Sequence, residues 1–442
     1  MTIWNAPVGH KPINAEISLP PSKSLTARAL VLSLLAKEPT FITNPLQCRD
    51  TDLMLAGIKE FGARVQEQSG GILITPPDSL NPQTGVIECG LAGTVMRFLA
   101  PVALLSGHPI HFQGDAAAGD RPMQGLLDAL TQLGAKITDM PSPGHLPFTI
   151  EGKLTPSDQL QKVNLDAASS SQFVSALLLI SPALPFELQI EVNSTLPSIR
   201  HVEMTVAEVN ACGGAVENIG GESGDWNTRQ LHHLWRCKPA SLRGGKRSIE
   251  PDLTNAGPFL AAAMICGGQV NIPDWPAKTF QAGDAWRQLL TPMGARIYRT
   301  RNGGLVCQGN GIIGGIRSDL EALGELTPTL AALCALAVDP SKLTGIGHLR
   351  GHETDRLNAL ETEINRLGGK AHARENYLEI FPSPLHGDLV ETYGDHRMAM
   401  FAALIGLRVP GVQIADIECV SKTFPSFTAT WETMLAGANG TA

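Results

Sequence analysis

The chain has 442 residues, of which 43% are hydrophobic, 17% charged and 5% aromatic, with a formal net charge of −8. That is too long for one ordinary core, so two or more domains are expected. The acidic balance and scarce aromatic rings exclude a nucleic-acid surface of basic patches and stacking platforms, and no apolar run is long enough to span a bilayer.

The N-terminal "MTIWNAPVGH" has neither a basic n-region nor an apolar h-region, so no secretory signal is expected. The first element with a conflict in it comes at residues 22–36, "SKSLTARALVLSLLA". It opens with Ser22, Lys23, Ser24 and Arg28, yet continues with small and aliphatic residues suited to a buried helix. "TDLMLAGIKEF" follows, with apolar residues at the three- and four-residue spacing of an amphipathic helix. It ends at Gly62 in "FGARV", where glycine suits the left-handed position after a helix, and "ARVQEQ" and "ILITP" read as strands.

The same order of events recurs. "GTVMRFLAPVALL" and "MQGLLDALTQL" lead to "LGAKI" at Gly134 and the strand "PFTIEG". "SSQFVSALLLI", the strand "LQIEV" and "HVEMTVAEVNA" lead to "CGGAV" at Gly213. The run "RGGKR" at 243–247 reads as a solvated linker. "TNAGPFLAAAMI", with an amphipathic segment expected after it, leads to "MGARI" at Gly294, then "ARIYRT" and "GLVCQG". "TPTLAALCALAV" and "ETDRLNALETEINRL" lead to a weaker copy, "LGGKA" at Gly368, and to "YLEIFP". "DHRMAMFAALIGL" opens a sixth copy, whose amphipathic helix "FPSFTATWETMLAGA" lacks the glycine–strand exit. A period of roughly 75 residues implies duplication. Six α/β units, three per domain, make two domains of similar size. The eight cysteines have no CxxC or metal-ligand spacing, which fits a reducing cytoplasm and no metal centre.

The buried helices share an electrostatic problem. Their first N–H groups need partners, and their positive dipole ends point somewhere. Ser22, Ser170, Thr254 and Thr327 can serve as simple caps. The cations cannot. Lys23 and Arg28 open the first copy, Arg97 lies in the second, and His396 and Arg397 open the sixth. A phosphate or carboxylate at such a terminus satisfies N–H groups and basic side chains together. Arg121 in "GDRPM", Arg356 three residues after Glu353, and Lys422 in "SKTFP" extend the set. Singly, each reads as a surface ion pair; together they suggest a site for a small molecule bearing several phosphates and carboxylates. Proton transfer beside them needs a carboxylate, for which Glu353 and then Glu325 are the candidates. Among cations either should have a lowered pKa.

"PSKSLTARAL", "AGTVMRFL", "DRPMQGLLDAL", "SSQFVSALLL", "LRGHETDRL", "DHRMAM" and "SKTFP", in this order from about residue 12 to 430, resemble the successive motifs of the 5-enolpyruvylshikimate-3-phosphate (EPSP) synthase family. "ECGLAGTVMRFL" and "HLRGHETDRL" look most like its actinobacterial branch. The resemblance implies a two-domain inside-out α/β barrel, each domain built of three βαβαββ units. Residues 1–21 plus 250–442 would form one domain and 22–249 the other, with the active site in the cleft between them. It implies transfer of the enolpyruvyl group of phosphoenolpyruvate to the 5-hydroxyl of shikimate 3-phosphate, without metal or organic cofactor, by a cytoplasmic monomer. Ser24, Arg28, Ser170, Ser171, Gln172 and Ser198 would hold shikimate 3-phosphate, joined by Lys23, Glu325 and His348. Lys23, Gly93, Arg121, Gln172, Arg356, His396, Arg397 and Lys422 would hold phosphoenolpyruvate. Glu353 would move the proton at the methylene carbon, and Glu325 with Lys23 the proton of the 5-hydroxyl. Gly93 would leave room for glyphosate, an inhibitor competing with phosphoenolpyruvate.

The chain departs from the family pattern in places. Pro21 stands where Gly is usual, Ala27 replaces a frequent Asn, Leu91 replaces Asn, and Arg200 replaces a common Pro. Glu325 and His352 stand where other branches carry Asp and Lys. The related transferase acting on UDP-N-acetylglucosamine would place a reactive Cys in the loop "GDAAAGDRPM", which has none. A catalytically inactive anion-binding homologue would be expected to lack Glu353 or Lys23, and both are present. A dinucleotide oxidoreductase would need GxGxxG after a strand, and no convincing copy occurs.

Overall fold

The computed structural model describes residues 2–223, 230–351 and 353–437. His352 lies outside them. The chain divides into two compact units. The first comprises Met1–Pro20 and Glu250–Ala442, the second Pro21–Ile249.

The helices come in six consecutive pairs. In the second unit these are α1 (Lys23–Leu34) with α2 (Arg49–Glu60), α3 (Gly93–Ser106) with α4 (Gln124–Gln132), and α5 (Gln172–Ile180) with α6 (Ile199–Ala211). In the first unit they are α7 (Ala256–Cys266) with α8 (Trp286–Leu290), α9 (Thr327–Ala335) with α10 (Arg356–Arg366), and α11 (His396–Gly406) with α12 (Phe427–Ala436). The first member of each pair is buried almost all round, as in α1, where Leu25 to Leu34 are inaccessible. Most second members bury one face, such as Met54, Gly57 and Ile58 of α2. The helices α1, α3 and α5 pack on one another, as do α7, α9 and α11. Small side chains permit this close approach.

Each pair goes with a sheet, and the described residues form six. Five share one plan: a parallel pair, then two antiparallel strands. Val86–Glu88 lies parallel to Ile110–Gln113, which pairs antiparallel with Phe148–Glu151 and then Lys136–Thr138. The leading parallel strand comes from elsewhere in two cases. Gly245–Ser248 lies beside Thr40–Thr43, so the end of the second unit completes its first sheet. Ile13–Glu16 lies beside Gly268–Ile272, and Ile3–Asn5 joins the sixth sheet through Gln413–Ala415. The first twenty residues thus supply strands to two sheets of the first unit, which makes that unit discontinuous.

The repeating glycines behave as read. Gly62, Gly134, Gly213, Gly294 and Gly368 all take φ between 86° and 109°, which glycine adopts without the clash a Cβ brings. Each is followed by a strand.

Two expectations fail. "RGGKR" is no solvated linker: it contributes the edge strand Gly245–Ser248, and Arg247 pairs with Glu208 at 3.2 Å. The fourth amphipathic helix shrinks to five residues. The Trp286 indole lies against Gly257, where an added Cβ would come within 2.2 Å, and donates to the Leu253 carbonyl at 3.0 Å. One bulky anchor there replaces an apolar stripe.

Candidate active site

In the second unit, the polar first turns predicted from sequence meet through Arg28. This side chain leaves α1 and is 1% exposed. Its Nε donates to Thr205 Oγ1 at 2.8 Å, Nη1 to the Ser24 carbonyl at 2.9 Å, and Nη2 to the His201 carbonyl at 2.9 Å and Ser175 Oγ at 3.4 Å. The Phe98 ring lies under it, 5.2 Å from centroid to Cζ. The guanidinium therefore joins the starts of α1, α5 and α6. All these acceptors are neutral. Burial lowers the Arg28 pKa to about 10, with distant Glu208 only partly opposing this.

A second guanidinium pair forms around the start of α3. Arg97 donates to Gln172 Oε1 at 2.8 Å and to the Pro122 carbonyl at 3.1 Å. Arg121 donates to the Leu91 carbonyl at 2.9 Å. Both converge on Gly93: an added Cβ there would sit 3.0 Å from Arg121 Nη1 and 3.4 Å from Arg97 Nη1. Gln172 thus ties α5 to α3. Lys23, first residue of α1, pairs with Asp50 in the first turn of α2 at 3.0 Å. Ser22 caps α1 through the Leu25 N–H at 3.4 Å, and Ser170 Oγ accepts from the Gln172 N–H at 3.2 Å. Ser171 is buried at the start of α5, and Ser198 precedes α6 in a left-handed conformation, φ 53°. Ser24 contributes its carbonyl to Arg28.

In the first unit the N-termini of α9, α10 and α11 converge on carboxylates. Arg356 is completely buried. Its Nε bonds to Asp395 Oδ2 at 2.7 Å, Nη2 to Glu353 Oε2 at 3.0 Å, and Nη1 lies 3.6 Å from Glu325 Oε2. Burial alone would loosen its proton, but Asp395, Glu325 and Glu353 together outweigh that and hold it above its ordinary value. Arg397 Nε stands 2.5 Å from the same Glu325 oxygen, an ion pair without an aligned hydrogen bond. Lys422 Nζ bonds to Glu353 Oε1 at 2.9 Å. Asp395 also caps α11 by accepting from the Arg397 N–H at 2.8 Å. His396 is buried beside it, Nδ1 lying 3.8 Å from Asp395 Oδ1. His348 stacks against Gly324, where a Cβ would come within 2.4 Å of Nε2, just before Glu325. Burial lowers the His348 pKa, Glu325 opposing, which leaves a neutral imidazole near pH 7.

The structure thus gathers Lys23, Ser24, Arg28, Gly93, Arg121, Ser170, Ser171, Gln172 and Ser198 around the helix starts of the second unit. It gathers Glu325, His348, Glu353, Arg356, His396, Arg397 and Lys422 in the first. Sequence reasoning missed the anions that hold these cations. Asp395 had a signal, an acidic N-cap just before "HRMAM". Asp50 had only its place in the first turn of α2. Thr205 and Ser175, the hydroxyls under Arg28, gave none. Among the described residues no group of three or more His, Cys, Asp and Glu side chains is arranged to hold a metal ion.

A family model described as EPSP synthase (3-phosphoshikimate 1-carboxyvinyltransferase) matches residues 7–431. The chain is 44% identical to the 3-phosphoshikimate 1-carboxyvinyltransferase of Kocuria rhizophila, covering 99% of this chain and 97% of that protein. It is 43% identical to the protein of the same name from Bifidobacterium longum, covering 98% of each. Among solved structures, EPSP synthase from Acinetobacter baumannii superposes with a TM-score of 0.76 at 22% identity, over 98% of both chains. The enolpyruvyl transferase NikO from Streptomyces tendae superposes with a TM-score of 0.74 at 15% identity, over 97% of this chain and 96% of that one. These two likenesses bear on the fold, an α/β architecture of repeated units.

Proposed function

The chain belongs to the EPSP synthase family, and on that premise we propose that its two clusters serve the family's one reaction. That reaction transfers the enolpyruvyl group of phosphoenolpyruvate to the 5-hydroxyl of shikimate 3-phosphate and releases phosphate. The rival acting on UDP-N-acetylglucosamine is not favoured by these relatives. In this reading Arg28, Ser24, Ser170, Ser171, Gln172 and Ser198 hold shikimate 3-phosphate, with Lys23, Glu325 and His348. Lys23, Gly93, Arg121, Gln172, Arg356, His396, Arg397 and Lys422 hold phosphoenolpyruvate.

The steps follow from electron demand. The 5-hydroxyl oxygen bonds to C2 as C3 takes a proton, giving a tetrahedral adduct. The C2–O bond to phosphate then breaks as C3 loses a proton. Glu353 gives and retrieves the C3 proton, Glu325 with Lys23 relieves the hydroxyl of its own, and the cations stabilise the departing phosphate. The observation that carries this assignment is the position of Glu353. Each of its oxygens is held by a proposed phosphoenolpyruvate cation, Arg356 at 3.0 Å and Lys422 at 2.9 Å. This supports the reading, because the carboxylate proposed to move the proton lies beside the groups proposed to hold the reacting carbon.

Phosphate release, measured with chelator present and with each substrate omitted in turn, tests the reading. Release that needs both substrates is expected. Tight binding of both without turnover would identify a binding protein instead. Glyphosate competing with phosphoenolpyruvate belongs to the same proposal, as does a monomer working in the cytoplasm. No helix among the described residues is long and apolar enough to cross a membrane.

A further inference from the structure

Behind Arg356 lies a second buried carboxylate that the reaction above does not use. Glu363, on α10 two turns beyond Arg356, is 0% exposed. Its Oε1 accepts from the Tyr393 hydroxyl at 2.7 Å, and its Oε2 from the Glu391 N–H at 3.3 Å and Arg366 Nε at 3.0 Å. An ion pair with half-exposed Arg366 gives no reason to bury a carboxylate completely, since such pairs contribute little. The other two donors flank Thr392, so Glu363 grips the segment leading into α11 at two points.

That segment has unusual backbone. Tyr393 has φ 55° and Gly394 φ 67°, two left-handed residues in succession. The first is costly for a residue with a large side chain. The turn closes with the Asp395 N–H donating to the Thr392 carbonyl at 2.8 Å. Asp395, delivered by this turn, makes the 2.7 Å bond to Arg356.

We propose that Glu363 and Tyr393 are positioning residues for Arg356, acting through the Thr392–Asp395 turn that fixes Asp395. Tyr393 is 42% exposed, so its hydroxyl bond to Glu363, not its burial, is what ties the turn to α10. Partial burial and the Glu363 carboxylate push the hydroxyl's pKa up to about 12, so it remains the donor at any working pH. α10 thus carries both Arg356 and the carboxylate that holds Arg356's partner. The inference rests on the reading of Arg356 as a ligand of phosphoenolpyruvate.

Steady-state kinetics of Tyr393→Phe against the wild-type chain tests it, with KM measured separately for each substrate. Arg356→Lys, measured beside it, tests the underlying reading: a raised KM for phosphoenolpyruvate upholds it, and an unchanged one sinks it before the Tyr393 variant is considered. Tyr393→Phe deletes one part-buried hydroxyl on a half-exposed side chain and should still fold, with a modest loss of stability from the Glu363 oxygen left without that donor. The expected result is a rise of about tenfold in KM for phosphoenolpyruvate, from a slightly misplaced Arg356. KM for shikimate 3-phosphate should stay within about twofold. Glu363→Gln, which still offers Tyr393 an acceptor, should recover most of the affinity lost in Glu363→Leu. Unchanged KM values in Tyr393→Phe would overturn the proposal. So would a lower melting temperature with both KM values unmoved, because that is the signature of a purely structural bond.

Discussion

The two charged clusters are built to opposite rules. In the first unit, Arg356, Arg397 and Lys422 each face a carboxylate within 4 Å: Asp395, Glu353 or Glu325. In the second, Lys23 pairs with Asp50, but Arg28 and Arg121 are held by hydroxyl and carbonyl oxygens and form no ion pair among the described residues. Neutral oxygens fix a guanidinium's direction without neutralising it, so the second unit keeps a positive surplus at its helix N-termini, where the dipoles add to it. The first unit balances its charges. Such balance suits a place where protons move, because a carboxylate pinned by cations can take up a proton and return it without leaving its position. On the reading proposed above, the surplus of the second unit attracts anionic substrate, and the paired charges of the first hold phosphoenolpyruvate beside the carboxylate that moves its proton.

The largest expected effect tests the working half of this contrast. Glu353→Gln keeps shape and acceptor oxygen but cannot carry a proton. A fall in kcat of about 10²- to 10⁴-fold is expected, with shikimate 3-phosphate binding unaltered. Calorimetric binding beside single-turnover kinetics checks both parts. A fall of less than tenfold would move the proton to another group.

The attracting half is tested by Arg28→Met, which removes the charge and fills the space. The hydroxyls beneath survive as a network, since Thr205 Oγ1 still bonds to Ser175 Oγ at 2.9 Å and the His201 carbonyl at 2.8 Å. Stability should fall by no more than about 2 kcal/mol. Affinity for shikimate 3-phosphate should weaken on the order of 100-fold, the loss expected on truncating a desolvated charge pair. Equal losses in stability and affinity would make Arg28 a structural strut and remove the surplus from the comparison.

The sequence showed this contrast only in part. Repeats, helix pairs and glycine exits are local patterns, and these were legible. The cations at helix starts were legible too, because they oppose the dipole and so call for explanation. Their partners were not. Asp50 lies 27 residues from Lys23 and Asp395 lies 39 from Arg356, and no periodicity links positions brought together by different helices. Cations at helix starts read, from sequence, as asking for a ligand anion; Arg356 already faces three carboxylates of its own unit, whereas Arg28 and Arg121 face neutral oxygens. The strands Ile3–Asn5, Ile13–Glu16 and Gly245–Ser248 were hidden for the same reason. Each is short, and its place depends on a partner far along the chain.

A smaller effect sharpens the picture around Arg121. The Gly93→Ala methyl would press on Arg121 Nη1 at 3.0 Å, a contact that a flexible side-chain tip can relieve by a few tenths of an ångström. KM for phosphoenolpyruvate should rise by only a few-fold, roughly the scale of one misplaced methyl group. Glyphosate inhibition should weaken more. Inhibition constants measured against phosphoenolpyruvate decide it: an unchanged glyphosate constant would take Gly93 out of the inhibitor's reach.

The smallest effect concerns the balanced unit and appears in stability rather than rate. His348 is held neutral by burial, although Glu325 nearby favours its charged form. Its folded-state pKa therefore lies below the unfolded value of about 6.5. As pH falls through that value, the unfolded chain takes up a proton that the folded chain declines, so stability drops on the acid side. Thermal melts of wild type and His348→Gln between pH 7.5 and about 5 isolate this contribution, because every other titrating group is common to both. The wild type should lose more over that range, by about two degrees at most in a chain of this size. A wild type that loses less than the variant on the acid side would mean that Glu325 governs His348 after all, and that the imidazole enters the cluster as a cation. The first unit would then carry its own positive surplus, and the division of labour between the clusters would fail on its balanced side.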